Sequence, residues 1–158
     1  MSSSLYRLPL ALFASLLALQ AQAKDPQYSA AYSRCMDNSG GVTSSMVQCS
    51  GAEFDRQDAR LNLNYKAAMG NLQEPQKTLL RDAQRAWIKY RDSNCDLYAR
   101  LTGGTIDRIN SSSCMLEATA QRADELDNIY SVAKEQGENI AAALAESRKA
   151  SEPESADE

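Results

Sequence analysis

The chain has 158 residues, with 17 Lys and Arg against 21 Asp and Glu, four cysteines and no histidine. An acidic chain without clustered cations is a poor partner for nucleic acid, whose phosphates need Lys and Arg to displace their counterions. The missing histidine excludes Ser-His-Asp and Cys-His catalysis and any His-ligated zinc site.

The first 23 residues read as a secretory leader. Arg7 gives a short positive region, Leu8 to Leu19 is apolar apart from Pro9 and Ser15, and Ala21-Gln22-Ala23 is a small-x-small cleavage site. The apolar run is short for a bilayer span. The expected mature chain starts at Lys24, is periplasmic or secreted, and keeps no membrane anchor. Losing Arg7 makes it one unit more negative, which suits a basic protein partner through opposite fields. Four cysteines in an exported domain of this size imply two disulfides. A thiolate metal site would need close pairs such as C-x-x-C, and Cys35, Cys49, Cys95 and Cys114 are spaced too widely. No metal and no cofactor are expected.

In chain order, Tyr28 to Met36 reads as a short helix ending in the Asn38-Ser39-Gly40-Gly41 turn. Thr43 or Ser44 is placed to cap a long helix from Met46 to Leu72, with Phe54, Leu61, Tyr65, Ala68 and Leu72 on one face. Asp58 shares that face, one turn before Leu61 and Asn62. A carboxylate there is costly unless paired, so an Arg or Tyr from a neighbouring helix is expected. Asn71 to Pro75 is a short connection, with Pro75 suited to a first helical turn. The next helix, about Gln76 to Leu101, is read as the one the rest is organised around, with Leu80, Ala83, Trp87 and Tyr90 inward and Asp82, Arg85, Lys89 and Asp92 outward. Thr102-Gly103-Gly104-Thr105 ends it, and a loop of about ten residues is expected to run to Ser111-Ser112-Ser113. A serine there caps a third helix, Cys114 to Lys134, with Leu116, Ala120, Ala123, Leu126 and Tyr130 as its apolar stripe. Gly137 weakens the pattern. Glu138 to Lys149 reads as an exposed helical extension, and Ser151 to Glu158 as a disordered acidic tail.

The expected fold is therefore all-α: an up-down-up three-helix bundle with a short N-terminal helix, stapled by two disulfides. The expected domain spans residues 24–136, and residues 137–158 form a weakly helical to disordered tail. Four cysteines permit three pairings. Cys35–Cys49 with Cys95–Cys114 is favoured because each would close one irregular loop, at about 3 kcal/mol apiece.

Two sets of residues invite a functional reading. Asp58, Asn62, Tyr65, Gln84, Trp87, Arg91 and Arg122 accompany the apolar stripes, as a catalytic carboxylate and clamp or as a buried network fixing helix register. The network is preferred, since buried polar groups ordinarily satisfy one another. The second set is Thr102, Gly103, Gly104, Thr105, Ile106, Asp107 and Arg108. Adjacent glycines and a long connection on a rigid scaffold suit a projecting binding loop as well as they suit slack spanned by a disulfide. The lysine and Ser/Thr of a phosphate loop are missing.

The pattern Leu61-Asn62-x-x-Tyr65, then Leu80-Arg81-x-Ala83-Gln84-Arg85-Ala86-Trp87-x-x-Tyr90-Arg91-Asp92-x-x-Cys95, then Gly103-Gly104-Thr105-Ile106, then Cys114-x-x-x-x-Thr119-x-x-Arg122-x-x-Glu125-Leu126 resembles the LprI-like lysozyme inhibitor family. The resemblance covers about Cys35 to Tyr130. It implies a small exported helical domain, with lysozyme inhibition attributed to the family's namesake. The namesake type is a lipoprotein, and no attachment cysteine follows the leader here.

Together these readings predict a binding protein and not an enzyme: an inhibitor of lysozyme-type muramidases that occludes the cleft with the Thr102–Arg108 loop, Asp107 meeting basic residues at the rim. The alternative is a non-catalytic envelope-assembly module that binds another exported protein.

Overall fold

The computed structural model describes residues 28–151, so the leader, the proposed cleavage site and residues 152–158 of the acidic tail lie outside it. Four helices make up the described chain: α1 (Ala30–Asp37), α2 (Thr43–Asn71), α3 (Gln76–Tyr98) and α4 (Ile106–Ser151). Among the described residues there is no strand.

Ser29 starts α1 as its N-cap, accepting a hydrogen bond from the Tyr32 amide. Gly40 and Gly41, at φ 58° and 74°, turn the chain into α2. That turn requires the left-handed backbone glycine adopts at little cost. The expected Thr43 or Ser44 cap is not used. Val42 is the N-cap, without a side-chain bond, and Thr43 is already helical.

α4 is the hub: α2 packs along it and α3 packs on it, while α1 packs on α2. Its stripe is as expected, with Leu116, Ala120, Ala123 and Leu126 all at most 1% exposed. Leu61 and Ala68 from α2 and Leu80 from α3 complete the centre with Ala123 and Leu126, and Tyr65, Met69, Leu72, Trp87, Ile129 and Tyr130 pack around them.

Three expectations are corrected. α3, taken above as the organising helix, is shorter than expected, and its inner stripe is Leu80, Gln84, Trp87, Arg91 and Cys95; Ala83 and Tyr90 face solvent. The loop of about ten residues is seven, because α4 begins at Ile106 and not at Cys114. The serines do not cap it: Ser111 Oγ donates to the Cys95 carbonyl and Ser112 Oγ to the Ile109 carbonyl, from inside the helix. The expected exposed helical extension over Glu138 to Lys149 does form, continuous with α4 through Gly137. One glycine costs a helix about 1 kcal/mol relative to alanine, too little to stop a long one. Beyond Ala133 the helix surface is exposed through residue 148, Ile140 and Leu144 included.

Candidate functional site

Both disulfides form in the local pairing. Cys35–Cys49 joins α1 to the first turns of α2, and Cys95–Cys114 joins the end of α3 to α4, with Cα separations of 5.7 and 5.5 Å. No cysteine is left free.

The second disulfide marks the end of the molecule that carries the predicted loop. Of its residues only Thr102, Gly103, Gly104 and Thr105 lie outside a helix; Ile106, Asp107 and Arg108 form the first turn of α4. Asp107 is buried, and its carboxylate accepts from the Thr102 amide, the Thr102 hydroxyl at 2.8 Å and the Gly103 amide at 2.8 Å. Burial pushes the carboxyl pKa up, but these donors outweigh it and hold it below its ordinary value. Asp107 therefore works as a clamp that folds the loop onto the helix start. The expectation that it meets a partner's cations is corrected, because its oxygens are spent on the loop. The surface around the loop is mixed: Leu97, Leu101 and Ile106 are 58%, 56% and 48% exposed, and Arg100, Thr102, Thr105 and Arg108 are exposed among them.

The second predicted set divides. Gln84 Oε1 accepts from Arg122 Nε at 2.9 Å, Arg122 Nη1 donates to Glu125 at 2.6 Å, and Arg91 Nη1 donates to the buried Thr119 hydroxyl at 3.4 Å. The Trp87 ring receives both guanidinium groups, Arg91 at 4.9 Å and Arg122 at 5.9 Å from its centroid. Stacking of this kind lets arginines line an interior at low desolvation cost, since guanidinium is weakly hydrated and planar. Tyr65 packs on the nearby apolar cluster. Asp58 and Asn62 do not join this group. Asn62 Nδ2 donates to the Asp58 carboxylate and carbonyl on the surface of α2 itself, and among the described residues no Arg or Tyr bonds that carboxylate. An i,i+4 pair facing water is satisfied locally, which removes the penalty that called for a distant partner.

Sequence reasoning missed Glu53. It is fully buried in α2 and accepts from the Ser29 amide at 3.0 Å, the Ser29 hydroxyl at 2.6 Å, Arg56 Nε at 3.0 Å and Gln57 Nε2 at 2.9 Å. Burial raises its pKa, and these hydrogen bonds more than reverse that, holding it below the ordinary carboxylate value. The signal was available: Glu53, Gln57 and Leu61 lie four residues apart on one α2 face. Also unforeseen is the polar seam of α2 on α4, where Arg60 bonds Asp124 and the Ala120 carbonyl and Asn64 bonds the Ala123 carbonyl.

Chemically, this arrangement offers recognition surface. Among the described residues no cluster of His, Cys, Asp or Glu could hold a metal ion, and no helix is long and apolar enough to cross a membrane. The buried carboxylates are each committed to a structural set of donors.

With that geometry in view, the comparisons with known proteins decide the family. The lysozyme inhibitor LprI family matches residues 35–126, from the first disulfide cysteine through Leu126 at the centre of the core. The chain belongs to the LprI lysozyme-inhibitor family. An uncharacterized protein of Rhizobium meliloti (strain 1021) is 31% identical over 100 residues, an alignment spanning 54% of this chain and 72% of that protein. No solved structure matches. The matched residues contain every member of the Trp87 network, both disulfides and the Asp107 clamp, so membership in the LprI family and the rigid end of the molecule rest on the same segment.

Proposed function

We propose that this LprI-family protein is an exported inhibitor of lysozyme-type muramidases that binds the enzyme and blocks access to its cleft, without chemistry of its own. Membership in the family carries this reading. The two disulfides support export, because such bonds persist in oxidising compartments. Net negative charge supports a basic partner through faster encounter. The disulfide-closed end supports occlusion: the 102–105 segment is held by Cys95–Cys114 and Asp107, so presenting Leu101 and Ile106 to a partner costs little ordering entropy.

The contacts in chain order also support an up-down-up course for α2, α3 and α4. Arg60 and Asn64 meet Ala120 and Ala123 in rising order. Gln84, Arg91 and Cys95 meet Arg122, Thr119 and Cys114 in falling order.

Titrating lysozyme with the mature protein and following cell-wall hydrolysis tests the proposal. Stoichiometric loss of activity, with a complex visible by calorimetry, is expected. Full hydrolysis at excess protein and no heat of binding would reject it.

A further inference from the structure

α3 carries two stripes at helical spacing, and the buried one is the more polar. Facing α4 are Leu80, Gln84, Trp87, Arg91 and Cys95. On an outer flank, Leu79, Ala83, Ala86, Tyr90, Ser93 and Leu97 follow one another at steps of three and four residues, all exposed. Leu79, Tyr90 and Leu97 leave 67%, 65% and 58% of their surface to water. Single exposed leucines mean little, but a largely apolar stripe on a surface helix, broken here only by Ser93, marks an interaction site. From Leu79 to Leu97 it runs about 27 Å at helical rise.

We infer that this outer face of α3, with Tyr90 at its centre, is the surface that docks into the apolar groove of a cationic, lysozyme-type partner. The inference rests on the inhibitor reading above and names the face that carries it. A helix laid into a groove is read through anchors at such spacing. Tyrosine is among the residue types, with Trp and Arg, that concentrate binding energy in interfaces, offering a large rigid surface with a polar tip. Beside Tyr90 the surface dips into a 340 Å³ depression between α3 and α4, where Asn94, Tyr98, Glu117 and Gln121 supply polar rim groups. Among the described residues Glu117 accepts from Gln121 Nε2 at 3.0 Å, and it is exposed, so it puts an acid on the α4 border of the stripe. The far side of α3 is mixed in charge: Arg85 pairs with Asp82, Arg100 with Asp96, and Lys89 is exposed. An apolar strip with one acidic border selects an apolar groove with a basic border.

The test compares four proteins in lysozyme inhibition and calorimetry: wild type, Tyr90→Asp, Leu97→Asp and, as a control on the exposed surface of α2, Leu63→Asp. All replaced side chains are exposed, so circular dichroism and thermal melts should coincide. Tyr90→Asp should weaken binding ~30-fold, the scale of a central hot spot. Leu97→Asp should weaken it less, and Leu63→Asp not at all. Wild-type inhibition that Tyr90→Asp and Leu97→Asp leave unchanged would overturn the surface and keep the inhibitor reading. A wild type that neither binds nor inhibits would overturn both. Sedimentation of the protein alone supplies the remaining arm: a wild-type dimer that Tyr90→Asp dissolves would give the stripe to a second copy and overturn the proposal.

Discussion

The two disulfide-closed corners of the molecule solve one problem in two ways. Each places a buried carboxylate beside a disulfide and turns backbone and hydroxyl donors onto it. At the α1–α2 corner the carboxylate is Glu53, and its donor Ser29 lies 24 residues away in sequence. At the α3–α4 corner it is Asp107, and its donors Thr102 and Gly103 are five and four residues away. Glu53 therefore fastens one segment to another, and Asp107 only shapes a turn. A long-range clamp stabilises the fold as a whole, whereas a local one sets the conformation of its own loop.

Opening the disulfides is the largest perturbation. Replacing Cys95 and Cys114 with alanine should cost about 3 kcal/mol of unfolding free energy by chain entropy, and replacing Cys35 and Cys49 nearly as much, the closed loops being of similar length. Urea titrations of both double variants would measure this. Equal losses would place the difference between the corners in the carboxylates. A much smaller loss for Cys35–Cys49 would show that the Ser29–Glu53 clamp already holds α1.

Removing the clamp comes next. Glu53→Ala removes the acceptor that the Ser29 amide and hydroxyl and Gln57 Nε2 share and should cost about 2 kcal/mol. Amide exchange should rise through α1 as it detaches. Stability confined to its wild-type value would break the comparison, since Glu53 would then be no more global than Asp107. The same carboxyl sets a pH dependence. Its pKa is below the ordinary 4.5 in the folded protein, so its contribution is fully present above pH 4.5 and disappears as pH falls through the lowered value. Thermal melts of wild type against Glu53→Gln should converge on acidification. Curves that stay parallel would show that another group controls the acid limb.

What could be read from the sequence follows from how local the physics is. The α4 stripe was legible because Leu116, Ala120, Ala123 and Leu126 are apolar and evenly spaced. The inner stripe of α3 was legible only in part: Gln84, Trp87 and Arg91 stand in the expected polar network, but which of them meets Arg122 or Thr119 depends on contacts distant in sequence. Apolar periodicity then favoured Ala83 and Tyr90, which belong to the outer face. The start of α4 was hidden for a related reason. Three consecutive serines resemble a cap, yet the residue that organises the turn is Asp107, reaching backwards. At the predicted loop, the glycines were recognised and the clamp was not. Of the two loop glycines, Gly103 alone has a positive φ, at 75°.

The smallest expected effect sharpens the contrast most. Asp107→Asn keeps one acceptor but sets an NH₂ group among the amides of Thr102 and Gly103, so the turn loses bonds it cannot replace. The rest of the molecule has no stake in that carboxylate, and the Cys95–Cys114 bond still joins α3 to α4. Amide exchange at Thr102 and Gly103 should therefore accelerate while the melting temperature moves only slightly. In wild type the same loosening should appear on acidification below the ordinary 3.8 of an aspartate, because the folded-state pKa is lowered and the clamp is lost as pH falls through it. The asparagine variant should show no such acid step. Should Asp107→Asn instead lower global stability as far as Glu53→Ala, the loop would belong to the cooperative core. The division between a clamp that holds the fold and one that holds a turn would then fail.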